Sequence, residues 1–178
     1  MKGAVAITGT HGTGKSTEVL DLCRDLNILH PGKRIVPLIE RASLSPLPIN
    51  KESTEKSQMY LFVSHIAEEL YLTSRFDAVV SDRSAVDMIA YTRYFGFYDL
   101  SNDMLALVRH HMPIYHQIHF KFSVKNEFWF PNGLRESEDR QFRQDIEDIL
   151  LGLYRDLGLE FTLSQNCLPG NGMSGTRH

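Results

Sequence analysis

Residues 9–16 read Gly9-Thr10-His11-Gly12-Thr13-Gly14-Lys15-Ser16, and the rest of the chain takes its meaning from them. The stretch fits G-x-x-x-x-G-K-[ST], the phosphate-binding P-loop pattern. Both flanks agree with it. An apolar segment, Ala4-Val5-Ala6-Ile7-Thr8, precedes the loop and suits a buried parallel strand. Ser16 to Ile28 follows, with Val19, Leu20, Leu22, Cys23 and Leu26 at helical spacing. Gly9, Gly12 and Gly14 let the backbone turn tightly and aim N–H groups at an anion. The helix that begins near Lys15 adds its positive end. In this pattern the Lys15 ammonium reaches the β- and γ-phosphates, and the Ser16 hydroxyl ligates Mg²⁺. Thr13, Thr17 and the backbone N–H of His11 complete the expected contacts.

At 178 residues the chain has room for one domain with a well-buried core. A net charge of −3 lacks the basic excess of a general nucleic-acid or membrane surface. Two cysteines, Cys23 and Cys167, are too few for a disulfide framework, and Cys23 falls on the apolar stripe of the first helix. No apolar run approaches membrane-spanning length, and Met1-Lys2 leads straight into the first strand. The expectation is a reduced, cytoplasmic setting without a membrane partner.

Further along, Arg34-Ile35-Val36-Pro37-Leu38-Ile39 reads as a second strand ending at Glu40-Arg41. Pro46 and Pro48 mark a loop from Ser43 to Lys51. A long helix from Glu52 to about Ser74 carries Met59, Phe62, Val63, Ile66 and Leu70 on one side. Asp77 to Ser81 is a third strand, closing on Asp82-Arg83-Ser84. Helices are expected over Val86–Phe95 and Asp103–His111, and a fourth strand over Ile114–Phe122. Ser137 can cap a last helix that stops at Gly158, before a fifth strand from Leu159 to Leu163. The alternation argues for a three-layer α/β fold, a five-stranded parallel sheet with helices on both faces. One domain spans 1–167, with a lid at about 126–143 and a flexible Gly/Ser-rich tail at 168–178. Ligands of such sheets sit at the carboxyl ends of the strands. The P-loop, Glu40-Arg41 and Asp82-Arg83 are therefore expected to share one cleft.

Together, the P-loop, the Asp82-Arg83-Ser84 triplet with Ala90-Tyr91 beyond it, and the arginine-bearing loop before the last helix resemble the P-loop nucleoside and nucleoside-monophosphate kinases. Deoxynucleoside and thymidylate kinases are similar by motif, as are the small AAA-type ATPase/kinase domains related to nicotinamide riboside kinases. The resemblance covers residues 1 to about 165 and implies ATP and Mg²⁺ as cofactors. It implies that Asp82 helps to hold magnesium or the acceptor hydroxyl, and that Arg83 contacts the phosphoryl groups. Positioned cations suit this chemistry, since positioning and electrostatics do nearly all of the catalysis. Glu40 resembles the general base of deoxynucleoside kinases, whereas Arg41 could bind an acceptor phosphate; the two point to a nucleoside and a nucleotide respectively. Gln58 stands where those enzymes carry a base-reading glutamine. Arg135, Arg140 and Arg143 resemble lid arginines, with Glu136, Glu138 and Asp139 interleaved as a departure. Such kinases are often dimers, which makes a homodimer an expectation.

The expected function is transfer of the γ-phosphoryl of ATP to a small nucleoside or nucleotide acceptor. One alternative is a kinase of a modified base or a 5′ end in DNA, with DNA as the partner. Another is a regulatory nucleotide-binding NTPase, although no Asn-Lys-x-Asp base-reading segment occurs. His110, His111, His116 and His119 match no zinc spacing and read as structural or surface residues.

Overall fold

The computed structural model describes residues 2–40, 42–123 and 140–164. Five strands, β1 Ala4–Thr8, β2 Ile35–Leu38, β3 Ala78–Asp82, β4 Tyr115–Phe120 and β5 Thr162–Leu163, form one sheet. Its order is β2-β3-β1-β4-β5, and each neighbouring pair is parallel. β1 and β3 are buried along their whole length, which is why both read as unbroken apolar runs rather than alternating ones. Pro37 is tolerated because β2 lies at the sheet edge, where a missing N–H need not break a ladder. Ile7 stands opposite Asp82, so β1 and β3 end level with each other.

Five α-helices cover the sheet: α1 Lys15–Leu29, α2 Glu55–Arg75, α3 Ala85–Tyr94, α4 Tyr98–His111 and α5 Arg140–Asp156. Strand alternation sends Ile7, Val80, Ala78 and Ile35 to one face, against Val19 and Cys23 of α1. Ala6, Ile118 and Phe120 point to the other face, where α2 to α5 bury Phe62, Ile89, Val108, Leu150 and Tyr154. The result is the three-layer α/β fold expected, with Cys23 in the core as its position implied.

Two departures have physical causes. α4 begins at Tyr98, five residues early, because Gly96 at φ +82° turns the chain straight from α3 into α4. α2 is rotated relative to its apolar stripe. Phe62 is buried, but Met59, Val63 and Leu70 are about half exposed, while Ser57, Gln58, His65 and Glu69 face inward. Three of those inward polar groups are hydrogen-bonded, and His65 stands at ion-pair distance from Glu69. Ser57 belongs to a capping box with Thr54, Gln58 bonds Ser53 and Thr92, and Glu69 meets two histidines and a tyrosine. Satisfied polar groups can be buried at low cost, so apolar periodicity misjudges this helix.

Candidate active site

The P-loop leaves β1 through Gly9, at φ +134°, where a Cβ would come within 2.3 Å of the Lys121 carbonyl. No other residue fits that approach. Gly14, in the left-handed region at φ +75°, caps α1 without any side-chain hydrogen bond. α2 and α3 both close their N-termini with capping boxes. The first turn of α1 thus keeps its backbone N–H groups and positive dipole end for an anion. Lys15 is 5% exposed and donates from Nζ to the Thr10 carbonyl at 2.5 Å, with Thr13 Oγ1 at 3.4 Å. Burial, then the neighbouring Arg83, pushes its pKa down to about 8. A buried cation in that position gains most from an arriving polyanion.

Ser16 Oγ donates to Asp82 Oδ2 at 2.5 Å. Asp82 is 1% exposed, and its other oxygen, Oδ1, has no hydrogen-bond partner. A hydroxyl and a carboxylate set side by side, with one buried oxygen orphaned, are the hard oxygen donors that Mg²⁺ takes. The residues present therefore fit that ion.

Arg83 is where the strand ends meet. It adopts φ +87°, a conformation a non-glycine residue keeps only when its surroundings impose it. Those surroundings are the Glu40 carboxylate at 3.0 Å from Nε, the Gly9 carbonyl at 3.2 Å from Nη1, and Asp87 at 3.6 Å. The guanidinium also lies 5.1 Å over the Tyr91 ring. Burial works to lower its pKa, but Glu40 first, then Tyr91, Asp87 and Asp82, hold it well above the usual value. The P-loop, Glu40 and Asp82-Arg83 thus share one cleft, as the strand-end argument expected.

Asp87 was not singled out from sequence, yet it ties the cleft together. It accepts from Thr8 Oγ1 at 2.7 Å, the Gly9 N–H at 3.2 Å, and the Ser84 N–H and hydroxyl at 2.8 and 2.9 Å. The signal was the capping box Ser84-Ala85-Val86-Asp87, which fixes Asp87 at the third position of α3. Lys121, at the end of β4, also escaped notice; its Nζ lies 2.5 Å from Glu18 of α1 and 3.4 Å from the Gly14 carbonyl.

Beside Arg83 opens a cavity of about 420 Å³, lined among others by Glu40, Gln58, His65, Glu68, Tyr91 and Phe142. Gln58 is 3% exposed; its Nε2 donates to Ser53 at 3.1 Å, and its Oε1 accepts from Thr92 at 3.4 Å. An amide has two donors and two lone pairs, so these two bonds use one of its donors and one of its lone pairs. The His11 side chain does more than expected. Its backbone N–H and Nδ1 both lie 3.2 Å from Tyr91 Oη, and its ring is 5.1 Å from Phe142. Phe142 also stands 4.5 Å from Tyr94, which brings the first turn of α5 to the cavity mouth. On that turn Arg140 is exposed and Arg143 half-buried. Thr17 is exposed on α1. Arg41, Arg135 and most of the expected lid and tail lie outside the described residues.

Comparison with known proteins places this geometry. No curated protein matches the chain in sequence. In fold it is similar to the NadR protein in complex with NR, at 17% identity and TM-score 0.72 over 95% of this chain and 47% of that one. It is similar to thymidylate kinase from Ehrlichia chaffeensis, at 12% identity and TM-score 0.65 over 92% of each chain. Deoxyadenosine kinase from M. mycoides, solved with the products dCMP and dCDP, gives 14% identity and TM-score 0.60 over 90% of this chain and 88% of that one. A family model described as an AAA domain matches residues 4–167. The chain accordingly belongs to the AAA domain family, with the P-loop fold of the nucleoside and nucleotide kinases.

Proposed function

We propose that the protein is an ATP- and Mg²⁺-dependent kinase that moves the γ-phosphoryl onto a hydroxyl of a nucleoside. The observation that carries this reading is the Glu40–Arg83 pair, 3.0 Å apart at the junction of the P-loop and the 420 Å³ cavity. A carboxylate there meets the acceptor hydroxyl just where the phosphoryl group would arrive. Glu40 takes the hydroxyl proton as the oxygen bonds to the γ-phosphorus and the bond to the ADP oxygen breaks. Lys15, Arg83 and the open N-terminus of α1 hold the charge spread over the transferring oxygens. Ser16 and Asp82 would hold Mg²⁺, which supplies further neutralisation of that charge when bound. Arg140 and Arg143, on the first turn of α5, are the described lid candidates for contact with the phosphates.

A hydroxyl acceptor is preferred to a phosphate because of the cavity's charges. Among its described lining residues the carboxylates are Glu40 and Glu68, and Arg83, the arginine among them, serves the transferring phosphoryl group in this reading. The cavity supports an acceptor enzyme over a regulatory NTPase, which needs no such chamber. The test is ATP consumption against separate pools of nucleosides, nucleoside monophosphates and DNA. Stimulation by nucleosides alone is the expected result. Stimulation only by monophosphates or only by DNA would replace the acceptor class, and stimulation by no pool would remove the kinase reading.

A further inference from the structure

α2 presents to the cavity two polar residues that lie seven positions apart, Gln58 and His65. Seven residues are two helical turns, so the two side chains share one face about 10 Å apart. That separation is close to the length of a nucleoside. Beyond its bonds to Ser53 and Thr92, Gln58 keeps one donor and one lone pair, which suit a base edge. His65 therefore stands where the sugar would lie, towards Glu40.

His65 is not a bystander in the wall. It is 8% exposed, and its Nε2 lies 3.2 Å from Oε1 of Glu69, one turn on along α2. Glu69 is fully buried and is itself held from behind. His111 Nε2 of α4 is 2.6 Å from Oε2, and Tyr115 Oη of β4 donates to the same carboxylate at 2.7 Å. Tyr115 Oη in turn accepts the Ala85 N–H at 3.0 Å, at the start of α3. A helix and a strand thus fix the carboxylate beside which this imidazole stands, at ion-pair distance, on the cavity wall. With Nε2 directed to Glu69, the nitrogen left for an occupant is Nδ1. The expected function and the P-loop motif leave this assembly unexplained.

We propose that His65, seated on Glu69, binds the acceptor by donating from Nδ1–H to an oxygen of the sugar whose base lies at Gln58. This inference rests on the nucleoside-kinase reading and adds a binding residue to it. Burial works against the charged imidazole, but Glu69, Asp87 and Glu40 together raise the ring's pKa. The groups acting on it are Glu69 on α2, Asp87 on α3 and Glu40 after β2, with His111 on α4 and Tyr115 on β4 behind Glu69. Arg83 and Glu68 line the same chamber. A group with a raised pKa stays protonated through the usual imidazole range and loses its proton above it. Acceptor binding therefore weakens as pH rises past that point.

The experiment uses the full chain with ATP, Mg²⁺ and, one at a time, adenosine, guanosine, cytidine, uridine, their 2′-deoxy forms, thymidine and nicotinamide riboside. His65→Gln sets an amide near the position of Nε2, keeping a group towards Glu69 while removing the Nδ1 donor. His65→Asn sets its amide near Nδ1. Expected is a rise of about ten- to a hundredfold in acceptor KM for His65→Gln, the loss of one charged hydrogen bond. The KM for ATP stays within about twofold, and His65→Asn lies closer to wild type than His65→Gln does. In wild type the acceptor KM rises on the alkaline side, and in His65→Asn that limb is gone. A wild-type enzyme that phosphorylates a nucleoside while His65→Gln keeps its acceptor KM overturns this inference alone. No nucleoside phosphorylated by wild type overturns the kinase reading and this inference with it. Should His65→Gln fail to fold, calorimetric binding of the phosphorylated nucleoside to wild type across pH decides, and pH-independent binding overturns the assignment.

Discussion

Lys15 is enclosed beside a second cation, and that has a measurable consequence. Its pKa falls from 10.5 to about 8, through burial and then Arg83, with Asp82, Asp87 and Glu40 offsetting part of the effect. A lysine depressed in this way holds its proton less firmly folded than unfolded. It therefore subtracts stability below pH 8, and the cost fades as pH climbs from 8 towards 10.5. Lys15→Met is expected to raise the Tm of the nucleotide-free protein at pH 7 by several degrees, the gap to wild type narrowing at alkaline pH in scanning calorimetry. A Tm that falls at pH 7 would contradict the buried-charge account. Phosphates arriving at Nζ restore the proton, so ATP binding at pH 8 should take up about half a proton from buffer. Titration in two buffers of different ionisation enthalpy reads this directly, and proton release would refute it. Arg83 behaves in the opposite way, because its partners are carboxylates. Arg83→Ala removes the buried cation beside Glu40 and Asp87, expected to cost about 3–5 kcal/mol and roughly 6–20 °C in Tm. Loss of transfer in that variant is meaningful only beside Glu40→Gln, which keeps the volume, removes the proposed base, and should slow turnover more than about tenfold.

Among the elements, α2 shows most plainly where sequence reading stops. β1, β3 and α1 were legible because apolar runs and one motif fix them. α2 was legible as a helix, but its inward side was not. Its apolar stripe marks Met59, Val63 and Leu70, which are 49%, 54% and 54% exposed. The inward side is settled by partners on α4 and β4, His111 and Tyr115, that no local pattern around residue 69 reveals. Two sets of substitutions test the orientation. Phe62, 1% exposed against the sheet and α3, should lose about 3–5 kcal/mol on Phe62→Ala. Met59→Gln and Val63→Thr, on the outer side, should stay within about 0.5 kcal/mol in urea unfolding. If the outer pair proved costlier than Phe62→Ala, the helix would be facing the other way. A concentration-dependent loss of stability in Met59→Gln would instead point to the expected homodimer.

For the whole molecule, the motif-bearing half of the candidate site was readable and the cavity beside it mostly was not. The strand-end rule brings Lys15, Glu40, Asp82 and Arg83 to one edge because parallel strands all deliver their next residues to that edge. The cavity beside Arg83 is lined largely from α2, α3 and the start of α5, whose faces depend on tertiary packing, so His65, Asp87 and Phe142 stayed hidden. That chamber bears on the choice between a small acceptor and DNA. A DNA kinase must hold strands at the rim with several cations, each phosphate contact releasing counterions and steepening the salt dependence. This chain carries a net charge of −3, and the carboxylates of Glu40 and Glu68 lie in the chamber's lining. Transfer to a neutral nucleoside involves no such release for the acceptor. Raising salt from about 50 to 200 mM should thus change kcat/KM for the acceptor by no more than about threefold, against the ~10³–10⁵ fall in affinity of a protein with 6–10 phosphate contacts. Excess duplex DNA should leave the rate of nucleoside phosphorylation unaltered. A fall of several hundredfold with salt, or strong inhibition by DNA, would mean that the cavity receives a base still attached to its strand.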